Sequence, residues 1–327
     1  MSDFYDILLA KQLAGESGGG GIAPSGTINI SSNGTYNVYS YASANVSVSG
    51  GGSSGHENEI LGRSISGTYT NTDLIALGSY ALAGCDTLTS VDFQECRSIM
   101  ASAFIHCINL SFANFPKCTD IGNYAFSGTA LRSFSFPMCS DIGLYAFKYC
   151  YLLTSVNFPE CKKIWNGAFM SCTNLSSVSF PECSNIDISA FAYCSNLGSI
   201  SFPKCSGIGA SAFAGCSNLT SVDFPSCKLV ATSAFISCSK LAYASFPVCS
   251  SIGSNAFRSC YSLSRIYLLS SSVCGLSTLV FGSTPFTLST YLGYFGSIFV
   301  PESLVDSYKT ATNWATYSNR ITAYYSE

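Results

Sequence analysis

The sequence predicts a solenoid of short parallel β-strands joined by tight turns, wound with a 22-residue period and preceded by a small β-module. Three observations carry this. Leu recurs at 88, 110, 131, 153, 175, 197, 219, 241 and 263, with spacings of 22, 21 and then 22 throughout. The units between these positions align on one pattern, LxSVxFPxCxxIGxxAFxxCxN, in eight copies over residues 88–262. Sixteen of the 17 cysteines fall into two columns of that pattern. A fixed period in the range of about 20–50 residues marks an array in which each unit covers its neighbour's apolar face.

Within a unit, positions 1, 4 and 6 are apolar. A strand at positions 3–6 alternates, so that Val156 and Phe158 point inward and Ser155 and Asn157 outward. Pro159 follows, has no N–H and ends the strand. The stretch IGxxAF then returns the chain. Gly122, Gly143, Gly209 and Gly253 are expected to supply a turn that needs an unusual backbone. The residues around Ala–Phe are expected to form one short helical or 3-10 turn that drops both side chains into the core.

The rest of the chain is organised around this array. Residues 59–87 read as an N-terminal cap and degenerate first repeat, with Ala81–Leu82 standing 22 residues before Ala103–Phe104. Residues 88–262 are the eight repeats, and 263–327 are divergent last repeats with a C-terminal cap. In that cap Pro301 suits the first turn of a helix. Leu304, Val305, Tyr308 and Ala311–Thr312 recur at helical spacing and should dock on the last rung. At the other end, residues 1–14 read as a short anchor helix with Phe4, Ile7, Leu8 and Lys11 aligned, too short to hold alone. A flexible linker at 15–25 leads to a hairpin module at 26–49, turned at Asn33–Gly34, and a Gly/Ser linker at 50–58 follows.

The repeat resembles the BspA-like branch of the bacterial leucine-rich repeat family. Leu153, Val156, Phe158, Cys161, Ile164, Ala168, Phe169 and Cys172 carry the likeness, which spans roughly residues 60–325. Departures are Gln94 in place of Pro, a unit one residue short near Gly128, and Trp165 at a Gly position. The resemblance implies a right-handed β/α-type superhelix and a binding scaffold, and the branch includes cell-surface adhesins. It also implies that the Cys after the strand hydrogen-bonds the turn backbone. Separately, the segments DFYDILLAKQLA and SNGTYNVYSYASANVSV resemble tail-associated structural proteins of phages and prophages of gut bacteria. That likeness implies an N-terminus docked on a virion or oligomerised.

One cysteine column is Cys96, Cys118, Cys139, Cys161, Cys183, Cys205, Cys227 and Cys249; the other is Cys85, Cys107, Cys150, Cys172, Cys194, Cys216, Cys238 and Cys260. Cys274 stands outside both. A structural ladder of buried thiols is the expectation. The within-unit spacing of 11 is not the two-to-four-residue gap of zinc ligands. Vertical disulfides between rungs about 4.8 Å apart are within reach, but stacked side chains point in parallel.

Charged residues make up 10% of the chain and net charge is -3, which excludes broad electrostatic binding of nucleic acid. The two histidines offer little for catalysis: His56 lies in a linker, and His106 is adjacent to Cys107 in a tight turn, where neighbours rarely face each other. No phosphate-loop, nucleophile-elbow or zinc-protease motif occurs. The reading is therefore not an enzyme, with no catalytic residue, cofactor or metal. Asp3, Asp6 and Lys11 interrupt the N-terminal apolar residues, so no signal peptide is expected, and no apolar run is long enough to span a membrane. The expected course is synthesis in the cytoplasm and release on a virion by lysis, the alternative being the cell surface.

The outward strand positions are the candidate ligand-binding face. Its middle is a carpet of serines; the informative residues are Ser90, Asp92, Phe112, Asn114, Asn157, Asp223, Tyr243, Arg265 and Tyr267. Tyr and Arg are enriched in binding hot spots. The expected partner is a protein or glycan on a bacterial surface. The alternatives are a BspA-like surface adhesin and a structural spacer without a ligand of its own.

Overall fold

The computed structural model describes residues 66–287 and 296–325, together with the backbone of two short strands, Asn29–Ile30 and Ser47–Val48. Each rung of the array contributes two strands. The front strand has the predicted place: Ser155–Asn157, Ser177–Ser179 and Ser199–Ser201 pair in parallel, each residue with its equivalent one rung on. The middle residue is inward and its neighbours outward, as in the exposed–buried–exposed pattern of Ser155–Asn157. The front strands pair in three runs, with breaks after Ser133–Ser135 and after Ser199–Ser201.

A second strand in each rung is not anticipated by the pattern. It is two residues long and ends on the repeat Ile, as in Lys163–Ile164. Ten of these form one unbroken parallel sheet from Ala76–Leu77 to Gly275–Leu276. Two residues are too few to show an alternation, which is why the periodicity conceals them.

The Ala–Phe segment is a run of tight turns. The amides of Lys148 and Cys150 close back onto the carbonyls of Tyr145 and Phe147, at 3.1 and 3.2 Å. The amides between them reach the next rung: Tyr145, Phe147 and Tyr149 donate to Asn166, Ala168 and Met170 at 2.9, 2.7 and 3.0 Å. Aiming these amides outward requires left-handed backbone at Tyr145 (φ 56°) and Tyr149 (φ 63°). The same two positions are left-handed at Ser189 and Tyr193 and at Ser233 and Ser237. A non-glycine residue there costs roughly 1–2 kcal/mol, and the ladder of bonds to the next rung holds it in place.

The glycine column has a different cause from the one expected. Gly122, Gly143, Gly209 and Gly253 are not among the residues with positive φ. At these four positions the previous rung is close, whereas Met100, Asp187 and Ala231 hold the same column with side chains. A Cβ at Gly143 would lie 2.7 Å from the backbone nitrogen of Asn123, and one at Gly253 2.5 Å from that of Thr232.

Two columns of phenylalanine fill the space between the sheets. Phe169 stacks on Phe191 with ring centroids 5.3 Å apart and planes 2° off parallel, and meets Phe180 of the other column at 5.9 Å and 64°. The arrangement repeats along the array, so each ring has stacked partners in its own column and edge-on partners in the other. Such pairs contribute roughly 0.5–1.5 kcal/mol beyond the area they bury.

The ends close the columns. Tyr69 meets Phe93 edge-on at 5.3 Å, and Leu82 is fully buried where later rungs carry Phe. At the C-terminus, Pro301 ends a strand, Ser297–Pro301, and does not open the helix; it is followed by a 3-10 turn at Glu302–Leu304 and a six-residue helix at Val305–Thr310. Leu304, Val305 and Ala311 pack on the core as the helical spacing predicts. Trp314 and the strand Ile321–Tyr324 complete the cap. Phe281 abuts Trp314 at 6.2 Å and Tyr317 at 5.3 Å.

Asn29–Ile30 pairs in parallel with Ser47–Val48, which in turn pairs with Thr70–Asn71. These described strands extend the front sheet, and a parallel pair is not the pair of arms a hairpin would make. The Asn33–Gly34 turn, the anchor helix and both linkers lie outside the described residues.

Gly143→Ala is expected to lower stability by about 1–3 kcal/mol, the usual cost of overpacking. Gly198→Ala, whose new Cβ would meet nothing nearer than 3.9 Å, should change it by no more than about 0.5 kcal/mol. Ser237→Gly, at a left-handed and exposed position that Gly215 fills one rung earlier, should raise it by about 0.5–1 kcal/mol. Chemical denaturation of the three variants checks this.

Candidate functional site

The thiols are the most reactive groups the sequence offers, and the structure accounts for them as backbone partners. All 17 cysteines are free and buried. In the first column Cys161 donates to the carbonyl of Lys163 at 3.2 Å, and Cys183 and Cys205 donate to the equivalent carbonyls of Asn185 and Gly207. The second column crosses between rungs: Cys172 donates to the carbonyl of Phe147, and Cys194 to that of Phe169, each at 3.1 Å. Thr129 takes the column's place in the short unit, its Oγ1 donating to the carbonyl of Phe126 at 2.9 Å. The missing residue of that unit therefore falls between Thr129 and Leu131.

Cys274 belongs to the ladder after all. Its Sγ lies 3.8 Å from that of Cys249, so it is the next rung of the first column, displaced by a longer connection. The cap clamps it: its N–H donates to the Tyr308 hydroxyl at 2.9 Å, and Trp314 Nε1 donates to its carbonyl at 2.6 Å. His106 and Cys107 form no dyad, because the buried Cys107 thiol donates to the carbonyl of Leu82 at 2.9 Å. Burial pushes the Cys96 and Cys205 thiols up to about 11, and those of Cys118, Cys161 and Cys194 up to about 12. Among the described residues no group of three or more His, Cys, Asp or Glu side chains is placed to hold a metal ion.

The front face divides into two ends. At the N-terminal end Ser90 lies beside Phe112 and Asp92 beside Asn114. The polar members are engaged with one another: Asn114 Nδ2 donates to Asp92 Oδ1 at 2.8 Å, Gln94 donates to the same oxygen, and Ser90 shares a hydrogen bond with Thr68 at 2.7 Å. Phe112 is exposed. Asn157 is exposed among serines in the middle, and Asp223 is exposed beside Ser245.

The C-terminal end brings Tyr243, Arg265 and Tyr267 together. Arg265 is in register with Tyr243 on the adjacent strand, and Tyr243 lies 5.1 Å from Tyr267. Two further aromatics join them. Phe299 stacks on Tyr267 at 4.6 Å, and Tyr324 meets Tyr267 edge-on at 5.8 Å. Both lie on strands that follow the last recognisable repeat; the alternation in SIFVP around Phe299 was the available signal. Phe112 stands rungs away at the other end and does not belong to this cluster.

With the geometry in place, comparison with known proteins decides the family. The profile described as BspA type leucine-rich repeat region matches residues 75–198 and 162–288. The chain belongs to the BspA-type leucine-rich repeat family. Similar solved structures include a leucine-rich repeat protein from Bacteroides ovatus, at 19% identity over 80% of this chain and 85% of that one, with a TM-score of 0.44. A leucine-rich cell surface protein from Faecalibacterium prausnitzii is 20% identical over 77% of this chain and 87% of its own, with a TM-score of 0.36. The pneumococcal vaccine antigen PcpA is 15% identical over 78% and 77%, with a TM-score of 0.35. No curated protein matches the chain. Repeats of this family are typically binding scaffolds. Apart from the strand Ser47–Val48, the segments that resemble phage structural proteins lie outside the described residues, and no comparison supports that likeness.

The buried thiols set an alkaline limit on the BspA-type array. A thiol whose pKa is raised by folding from its ordinary 9.0 contributes stability that is complete below that value and is lost as pH rises through the folded one. Stability should therefore hold to about pH 8 and fall as pH climbs from 9 toward 11–12. Denaturation midpoints across that range test it, and a midpoint unchanged at pH 11 would contradict it.

Proposed function

We propose that the chain is a non-enzymatic recognition and adhesion protein that binds a protein exposed on a bacterial surface through the C-terminal end of its front sheet. The observation that carries this is the cluster of Tyr243, Tyr267 and Phe299 with Arg265 beside it. Tyr243 and Arg265 are exposed, and Arg265 has no ion pair among the described residues. Aromatic anchors flanked by an unneutralised guanidinium are the residue types that dominate interface energies. The stacking on Phe299 holds the Tyr267 ring in place before any partner arrives, which lowers the ordering cost of binding. Leucine-rich repeat proteins bind other proteins, and family membership supports the same reading. As its setting we put forward a phage or prophage particle, on the resemblance of the N-terminal segments, with the bacterial cell surface as the alternative. Fractionating intact cells and particles separates the two.

Selective retention of the labelled full-length chain on intact gut bacteria is expected, with loss of about tenfold or more in the Tyr243→Ala/Arg265→Ala/Tyr267→Ala variant. Equal retention of the variant would place recognition elsewhere. No retention on any cell would favour a spacer.

A further inference from the structure

We propose that the second sheet carries a saccharide-binding groove, built by Asp120, Asn123, Asp141 and Trp165 on a floor of Gly122 and Gly143. The groove has a volume of about 650 Å³, within the range of about 300–1,000 Å³ common for ligand sites. It lies on the opposite sheet from the Tyr243 cluster and does not depend on the reading of that face.

The groove exists because two successive rungs that keep the repeat's glycine are followed by one that departs from it. Gly122 and Gly143 have no side chain, so backbone forms the floor. The next residue in that column is Trp165, whose ring forms the end wall. The ring is fixed on two sides: its Nε1 donates to Asp141 Oδ1 at 2.6 Å, and Lys163 Nζ lies 3.2 Å from the ring centroid.

Trp165 is also a local cost to the array. The amides of Gly122, Gly143 and Gly253 bond the previous rung's carbonyl at 2.7 Å, whereas that of Trp165 reaches the carbonyl of Ile142 at 3.4 Å. Met100 and Asp187 in the same column keep the bond at 2.8 and 2.9 Å, so the long bond is particular to Trp165. A residue that weakens the ladder and builds a rigid aromatic wall breaks a local rule of the fold, and such breaks concentrate at functional sites.

The polar groups fit hydroxyls. Asp120 and Asp141 face each other across adjacent strands. Asp120 makes no side-chain hydrogen bond or ion pair among the described residues, and burial with the charge of Asp141 raises its carboxyl above the usual range. Hydroxyl donors would relieve that repulsion. Asn123 Oδ1 accepts the amide of Leu144 at 2.8 Å, which leaves its NH₂ group for a ligand. Polyanions are disfavoured, because the groove's lining contains two carboxylates and the cation at its wall, Lys163, is held against the Trp165 ring. A lysine side chain would use the carboxylates but leave the wall and floor uncovered. A pyranose has both an apolar C–H face for the indole and a rim of hydroxyls for the carboxylates and amide.

The test is calorimetric titration of the full-length chain with soluble tetrasaccharides of β-linked glucose, β-linked N-acetylglucosamine and α-linked mannose, and with a tetralysine peptide. Saturable binding of at least one saccharide is expected. Trp165→Gly and Asp120→Ser, residues that the same columns already hold at Gly143 and Ser98, should each weaken it about tenfold or more. Trp165→Gly should do so without lowering the thermal midpoint. The Tyr243/Arg265/Tyr267 triple-alanine variant should bind saccharide as the parent does, so failure of the front-face reading and failure of this one are separable. Three outcomes would overturn the proposal: no saccharide binding, binding that survives Trp165→Gly, or preferential binding of tetralysine.

Discussion

The hydrogen bonds that leave each Ala–Phe turn for the next rung are the constraint on which the rest of this structure depends. Tyr145, Phe147 and Tyr149 cannot satisfy their amides within their own rung, because the left-handed backbone at the first and last of them aims the N–H groups along the array. A rung is thus incomplete until its neighbour exists. The close approach is tightest at Gly122, Gly143, Gly209 and Gly253, where a Cβ would collide with the preceding backbone. It also sets the stacking of Phe169 on Phe191 at 5.3 Å, so aromatic contact and amide ladder share one repeat distance. The thiols complete the scheme. Second-column thiols such as Cys172 and Cys194 donate to the previous rung's Phe carbonyl, whereas Thr129 in the same column donates to Phe126 of its own rung and leaves the cross-rung bond unmade there.

An array of incomplete units needs its ends finished, and the two ends are finished differently. Toward the N-terminus the solution stays close to the repeat, with Leu82 in the Phe column and Tyr69 over Phe93. Toward the C-terminus new chemistry appears. Tyr308 and Trp314 bond the N–H and C=O of Cys274 and so tie the cap to the last rung of the thiol column. The same segment continues the front sheet with Ser297–Pro301 and Ile321–Tyr324, and so carries Phe299 and Tyr324 to Tyr267. The cap and the aromatic cluster are one construction, which makes the last rungs the place where the front face can depart from serine.

Much of this is legible in the sequence, because a 22-residue period imposes the same environment on every copy. The buried columns of Leu153, Val156, Phe158, Ala168 and Phe169, the outward face and the grouping of Tyr243, Arg265 and Tyr267 follow from it. What escapes has a physical reason in each case. The second sheet uses two residues per rung, too few for alternation. Gly143 looks like a residue chosen for its conformational freedom, but the reason is contact with a segment 21 residues earlier. Cys274 leaves its column by sequence spacing and Thr129 by residue type, while both keep their place in space. Phe299 and Tyr324 stand beyond the last unit that the period can align.

Trp165 shows how such an array separates folding from recognition. Substitutions in the Phe columns disturb two stacked and two edge-on neighbours at once, so those columns hardly vary. Outward positions on the second sheet meet only the rungs on either side, and there Ser98, Asp120, Asp141, Lys163 and Asn185 follow one another in register. Even so, the second sheet is the unbroken one, and Trp165 stretches a bond that Met100 and Asp187 in the same column keep at 2.8 and 2.9 Å. A lengthening from 2.7 to 3.4 Å at one rung is tolerable only because the ladders on the other sides of that rung remain intact: Phe169 still donates to Ala190 at 2.8 Å, and Ile164 still pairs with Ile142. Redundancy among the ladders is therefore what allows one rung to carry a binding wall without the array coming apart at that point.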